Sequence, residues 1–178
     1  MKPGDPSGPG AGTRIRQAAR PIRRARPGEE AELFAIWEAA VAASHDFIAP
    51  ADLAFYAALV RERYLPRARI DVAVADDDTP LGFVGIAGDR IEALFVHPDH
   101  ARCGLGRRLV EHARRRPGWL SGAATPRALR VDVNEENLPA RAFYERMGFE
   151  KVGRSRLDAC GKPYPILHLA CAQAASAC

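Results

Sequence analysis

Residues 91–109 read I-E-A-L-F-V-H-P-D-H-A-R-C-G-L-G-R-R-L. An apolar run ends in a His-Pro turn, two glycines follow one residue apart, and an arginine-rich amphipathic segment begins. This order predicts a strand, a tight loop and a helix. Leu129–Val133 then returns as a strand, so residues 91–133 predict a right-handed parallel crossover. The backbone at Gly104 and Gly106 is bare, and the helix start offers unbonded N–H groups at the positive end of a dipole. Such a site suits a phosphate. The glycines alone leave a purely geometric role open. The loop G-L-G-R-R-L has neither the full Rossmann spacing nor a Walker A Lys-Ser/Thr, which disfavours simple nucleotide enzymes of those two kinds.

The rest of the chain supplies the sheet and its covering helices. Pro21–Arg26 reads as a short strand. Leu33, Ile36, Trp37, Ala40 and Val41 share one face of a first helix, which ends at Ser44-His45-Asp46. Asp52 reads as the N-cap of a second helix, striped by Leu53, Tyr56, Ala57 and Val60 and stopping before Pro66. Ile70–Ala75 and Leu81–Ala87 read as a hairpin and Ile91–Val96 as a third strand. Gly104–Arg116 is the arginine-rich helix, with Leu105, Leu109 and Ala113 inward. Residues 117–127 form a basic loop. Asn137–Met147 is a helix closed by Gly148 in the C′ position. Phe149–Arg156 and Pro165–Leu169 pair around the turn D-A-C-G-K-P-Y. The expected class is α/β (α+β), a sheet with helices on its faces.

The formal net charge of +4 is unevenly spread. Residues 1–28 carry seven basic groups and one acidic, and the remainder is slightly acidic. The arm, residues 1–20, is rich in Pro, Gly, Ser and Arg and reads as disordered, ahead of a single domain at 21–171 and a tail at 172–178. Its arginines are not interleaved with aromatics, so nucleic acid is not an expected partner. No run of about 18 apolar residues suggests a membrane span, and no apolar leader is present, so the expected location is cytoplasmic. Four cysteines fall in no metal-ligand spacing and are expected as free thiols. Cys103 sits in the anion loop, where a helix N-terminus lowers thiol pKa.

A second segment gives the loop its context. L-R-V-D-V-N-E-E-N-L-P-A-R-A-F-Y-E-R-M-G-F (129–149) contains Asn134, Asn137, Ala140, Phe143, Tyr144, Gly148 and Phe149 in the pattern N-x-x-N-x-x-A-x-x-F-Y-x-x-x-G-F. With the glycine loop it resembles the GCN5-related N-acetyltransferase (GNAT) superfamily, over about residues 22–169. A-S-H-D-F-I (43–48), I-E-A-L-F-V (91–96), G-R-S (153–155) and G-K-P-Y-P (161–165) resemble a bacterial branch described as protein-lysine acetyltransferases. The resemblance implies a GNAT fold, a central mixed, mostly antiparallel sheet of six to seven strands with a splayed parallel pair. It also implies acetyl-CoA as cofactor and an amine acceptor, either a protein lysine or a small molecule such as an aminoglycoside. Exposed edges at the last strands leave a homodimer open.

Site residues follow from the same resemblance. Coenzyme A is expected along Leu94, Phe95 and Val96, at Arg102, Cys103, Gly104, Leu105, Gly106 and Arg107, and at Asn134, Asn137, Ala140 and Tyr144. The loop departs from the family's Q/R-x-x-G-x-G/A in holding Ala101 first, with Arg102 as the nearest positive charge. Transfer to a lysine amine, of pKa about 10.4, requires loss of a proton. Glu92 in the strand before the loop is the candidate base, with a solvent-facing strand Glu as the alternative. Tyr144 is the expected acid for the departing thiolate. The spacing turns Phe143 and Met147 inward and Tyr144 toward the neighbouring edge. The Val96 N–H is the expected donor to the acetyl carbonyl. Asn134 also reads as a turn or cap residue, and Arg107 and Arg108 as a solvated helix face. His45, Asp46 and Phe47 lie where the family admits acceptors. His97 reads as structural and His112 as exposed. A non-catalytic acyl-CoA-binding module is the competing class. Ala101 favours that reading, whereas Asn137 and Tyr144 favour the enzyme.

Overall fold

The computed structural model describes residues 21–115 and 128–171. The arm at 1–20, the loop at 117–127, the helix's expected last residue Arg116 and the tail at 172–178 lie outside the described residues. Seven strands form one sheet: β1 (Ile22–Arg24), β2 (Ile70–Val74), β3 (Pro80–Ala87), β4 (Arg90–Val96), β5 (Leu129–Asn134), β6 (Glu150–Ser155) and β7 (Ile166–Cys171). Their order is β1-β2-β3-β4-β5-β7-β6. Every pairing is antiparallel except β4 with β5. This is the mixed sheet with one parallel pair expected from the sequence.

Helices cover both faces. Leu33, Phe34, Ile36, Trp37 and Val41 of α1 (Glu30–Ala42) pack with Val72, Phe83 and Ala93 on one face, joined by Leu53, Tyr56 and Ala57 of α2 (Pro50–Leu59). Leu105, Leu109, Val110 and Ala113 of α3 (Leu105–Arg114) pack on the other with Val84, Ile91 and Val131. α4 (Leu138–Arg146) joins this second cluster through Ala140, Phe143 and Tyr144. All five residues of β2 are buried, because helices lie on both sides of it. Its weak apolar–polar alternation has that cause. α4 closes with a Schellman motif, in which the Gly148 N–H reaches the Glu145 carbonyl at 2.9 Å and the Phe149 N–H reaches Tyr144 at 3.0 Å.

Several local expectations are corrected. Asp52 is not a helix cap: Pro50 starts α2 one turn position earlier, Ala49 is the N-cap, and the Asp52 carboxylate turns to Lys162 and Tyr164. α2 does not run to Pro66 but passes at Val60 into a π turn (Val60–Tyr64), closed by the Leu65 N–H on the Val60 carbonyl at 3.0 Å. His112 is not merely exposed, since its Nε2 lies 3.0 Å from the buried Asp71 carboxylate. Arg23, Arg24 and Arg26, counted with the basic N-terminus, are sheet-edge residues: Arg23 binds Glu29 and Asp78, Arg26 binds Asp78, and Arg24 lies 3.8 Å from Asp71.

Two irregularities position the site. β4 pairs with β5 only at Arg90↔Arg130 and Ile91↔Val131, so the two strands part beyond Ile91. The β3–β4 register jumps from Gly85↔Ala93 to Ile86↔Ile91, which leaves Glu92 as the extra residue of a β-bulge.

Candidate active site

The bulge decides where Glu92 points. In a regular strand Ile91 and Ala93 would share a face, yet Ile91 belongs to the core under α3 and Ala93 to the core under α1. The extra residue reverses the alternation, and Glu92 joins Ala93 and Phe95 in lining a cavity of about 330 Å³. Trp37, His45, Ile48, Tyr56, Tyr64, Asn134, Asp158, Tyr164 and Ile166 complete most of its wall. The carboxylate expected as the base therefore stands at the solvent-exposed rim of a largely apolar chamber, beside the place where β4 and β5 separate.

The backbone of β4 faces that gap. The His97 N–H bonds to the Leu81 carbonyl of β3 at 2.9 Å, and Phe95 pairs with Phe83. Antiparallel alternation then turns the N–H and C=O groups of Leu94 and Val96 away from β3, toward the unpaired side. α3 begins next to this opening. Gly104 is its N-cap, at φ +84°, and offers no side-chain cap. The amides of Leu105, Gly106 and Arg107 are thus left for a ligand, with no acidic residue in the first turn to repel an anion. A Cβ on Gly106 would stand 3.5 Å from the Phe143 ring and 4.0 Å from Val96, which places this turn against both α4 and the end of β4. Arg102 also has a positive φ, 60°. Its neighbour Cys103 donates its thiol to the His100 carbonyl at 2.8 Å, and the described cysteines are free. The Arg107 guanidinium pairs with Glu111 at 2.8 Å on the exposed helix face.

The two asparagines take distinct positions. Asn134 accepts the Glu136 N–H at 2.9 Å, a turn role, and also lines the cavity. Asn137 is buried and caps α4, its Oδ1 accepting the Ala140 N–H at 3.1 Å. Its Nδ2 therefore points outward and donates to His45 Nε2 at 3.4 Å. That leaves the His45 proton on Nδ1, which donates to Ser44 Oγ at 2.9 Å, and Ser44 in turn donates to the Ala40 carbonyl at 2.7 Å. Burial lowers the His45 pKa below 6.5, so the ring is neutral at pH 7. Both of its nitrogens are engaged, which makes His45 a wall and not a free base. Phe47 packs on it at 5.4 Å between ring centroids, and Asp46 is exposed outside the cavity lining.

Tyr144 differs from its expected orientation. It is the buried residue of α4, 5% exposed, with edge contacts to Phe143 and Phe149, whereas Phe143 and Met147 are only partly buried. Burial raises its phenol pKa well above the usual value, which keeps the hydroxyl protonated.

Sequence reasoning missed the far wall of the cavity. The turn between β6 and β7 is fastened onto α2. Lys162 Nζ lies 2.5 Å from Asp52 and 4.7 Å from the Phe55 ring centroid. The Tyr164 hydroxyl donates to Asp52 at 2.7 Å and accepts the Ala49 N–H at 3.0 Å. Asp158 accepts the Tyr56 hydroxyl and the backbone N–H groups of Cys160 and Lys162. Apart from the local bonds of Asp158 to Cys160 and Lys162, these partners lie about a hundred residues apart in sequence, and no local pattern pairs them.

A splayed parallel pair, an uncapped glycine-led helix beside it and a carboxylate on one strand of the pair define an acetyl-CoA-dependent N-acetyltransferase. The model of the Acetyltransferase (GNAT) domain matches residues 68–151, and the chain belongs to the GNAT family. It is 46% identical over 149 residues to peptidyl-lysine N-acetyltransferase YjaB of Escherichia coli, covering 84% of this chain and 95% of that protein. It is 45% identical over 148 residues to the protein of the same name from Salmonella typhimurium, covering 83% and 95%. The solution structure of apo-form YjaB from Escherichia coli superimposes with a TM-score of 0.74 at 43% identity, over 84% of this chain and 95% of that one. None of the described helices is long and apolar enough to cross a membrane.

Proposed function

We propose that this acetyltransferase modifies the ε-amine of protein lysines, by direct attack of the amine on the acetyl thioester in a ternary complex. Acetyl-CoA supplies the activated acetyl group. The amides of Gly104, Leu105, Gly106 and Arg107, with Arg102 in support, hold its pyrophosphate, and Cys103 contributes backbone to the same loop. The Leu94 and Val96 backbone holds the pantetheine arm in the gap, between Phe95 and the side bearing Asn134, Asn137 and Ala140. The Val96 N–H polarises the acetyl carbonyl, and Tyr144, kept protonated by burial, supplies the proton to the departing thiolate. His45 and Phe47 form the acceptor's entrance, with Asp46 at its exposed rim. The lysine acceptor is supported by the two relatives named as peptidyl-lysine acetyltransferases.

The observation that carries the reading is the bulge that brings Glu92 to the rim of the cavity. A lysine ammonium at pH 7 lies roughly 3.4 pH units below its pKa, so presenting the neutral amine costs about 4.6 kcal/mol. A carboxylate facing the amine accepts that proton and frees the nitrogen lone pair to attack the thioester. Glu92→Gln is expected to lower kcat/KM at pH 7 by about 10²–10⁴-fold. The deficit should shrink as pH approaches 10, where the free amine needs no base. Rates and a pH profile equal to wild type would remove Glu92 from the mechanism.

A further inference from the structure

Three of the chain's four tyrosines line one cavity, and only one of those three hydroxyls is unengaged. Tyr56 gives its hydroxyl to Asp158 and Tyr164 gives its hydroxyl to Asp52, and both fasten the β6–β7 turn. The Tyr64 hydroxyl is buried and has no hydrogen-bond partner among the described residues. Leaving a buried hydroxyl unpaired costs folding free energy, and a side chain of the same shape without the oxygen would avoid that cost.

The surrounding backbone is shaped to keep the hydroxyl there. Tyr64 ends the π turn, an irregularity frequent at functional sites. Across from it, inside β3, stands Gly85, and a Cβ at that position would lie 1.9 Å from the Tyr64 oxygen. Glycine weakens a strand interior, and here any larger residue would collide with the hydroxyl where it sits. Gly85 is also the last β3 residue in register before the bulge at Glu92. Burial, and to a lesser degree the Glu92 charge, raise the Tyr64 pKa, so the phenol is neutral and sits in the field of that carboxylate.

We propose that the Tyr64 hydroxyl is a direct contact for the acceptor amine. It accepts one N–H of the incoming nitrogen once Glu92 has taken the ammonium proton; the C–N bond then forms, the C–S bond breaks, and the nitrogen's surplus proton ends on the CoA thiol. The aromatic walls around this polar pair then favour a primary amine on an unbranched apolar stem, the shape of a lysine side chain. The inference rests on the reading that this cavity admits the acceptor.

The test uses the full chain and Tyr64→Phe, with Nα-acetyl-lysine amide and acetyl-CoA as substrates and released CoA thiol as the readout. The expected result is a KM for the lysine probe at least tenfold higher, an unchanged KM for acetyl-CoA, and a Tm equal to or above wild type because the orphaned hydroxyl is gone. Gly85→Ala should reproduce the acceptor defect by displacing the hydroxyl, and the double variant should add little to either single one. An unchanged lysine KM, or a lower Tm with both KM values altered, overturns the proposal. Calorimetric titration with n-butylammonium separates it from the lysine reading. If wild type does not acetylate the probe yet binds the alkylamine more tightly than Tyr64→Phe does, the lysine reading fails and the Tyr64 contact stands. Equal binding by the two proteins, or none by wild type, overturns the contact.

Discussion

Gly104 allows the anion site to be tested by a thermodynamic sum. It holds φ +84° at the N-cap of α3, and a Cβ there would meet nothing within 4 Å. Gly104→Ala therefore introduces backbone strain and no clash. An L-residue in the left-handed region costs roughly 1–2 kcal/mol. If the loop keeps its shape, the free protein carries the strain, and Tm falls by about 2–8 °C at 2–4 °C per kcal/mol. If the loop relaxes in the free protein, Tm is preserved. Acetyl-CoA must then restore the strained shape, and its affinity falls by about 5–30-fold for the same 1–2 kcal/mol. Either way the ligand-bound state loses the same amount. Calorimetric titration with acetyl-CoA and thermal unfolding, run on wild type, Gly104→Ala and Gly104→Asn, measure both parts. The stability loss and binding loss together should total roughly 1–2 kcal/mol for alanine and less for asparagine, which tolerates this region better. A total near zero for alanine would refute the claim that the bound loop requires the left-handed residue.

Tyr144→Phe removes only a hydroxyl from a packed ring. It should lower kcat while leaving acetyl-CoA affinity nearly unchanged, as steady-state rates and titration would show, and an unchanged kcat removes the acid role. Asp52→Asn breaks the link from α2 to Lys162 and Tyr164, and should raise the acceptor KM without changing the KM for acetyl-CoA. Lys162 and Tyr164 hold the Asp52 pKa below its ordinary 3.8, so the carboxylate stabilises the fold above about pH 4 and loses that contribution as pH falls further. The stability gap between wild type and Asp52→Asn, followed by denaturation from pH 7 to pH 3, should accordingly narrow toward the acid end. A gap that widens there would reverse the assignment.

What the sequence disclosed is what local rules govern. The succession of strands and helices along the chain, the parallel crossover and the glycine-led α3 all follow from short-range pattern. So does the Gly148 stop of α4, because one left-handed residue satisfies two orphan carbonyls there. Glu92 was legible as a candidate, but its direction was not. The alternation of I-E-A-L-F-V makes it a solvent-facing strand residue, and only the register jump against β3 brings it, still exposed, to the rim of the cavity. Helical spacing placed Phe143 inward and Tyr144 at the edge. In the folded protein Phe143 lies over Gly106, while Tyr144 fills the core with Phe149. Asp52 has the composition of a cap, yet Pro50 fixes the helix start and an ion pair 110 residues away takes the carboxylate. Tyr56, Tyr64 and Tyr164 converge only once α2, its π turn and the β6–β7 turn are assembled.

The most direct test of the central claim is transfer itself. The protein is incubated at pH 8 with acetyl-CoA and a lysine-containing peptide blocked at its N-terminus, and the peptide is mapped by mass spectrometry as CoA thiol is released. Saturable thiol release matched one for one by acetylation of the lysine ε-amine, and strongly reduced in Glu92→Gln, is the result this account predicts. Tight binding of acetyl-CoA with no acetylated lysine, or equal transfer by Glu92→Gln, would contradict it.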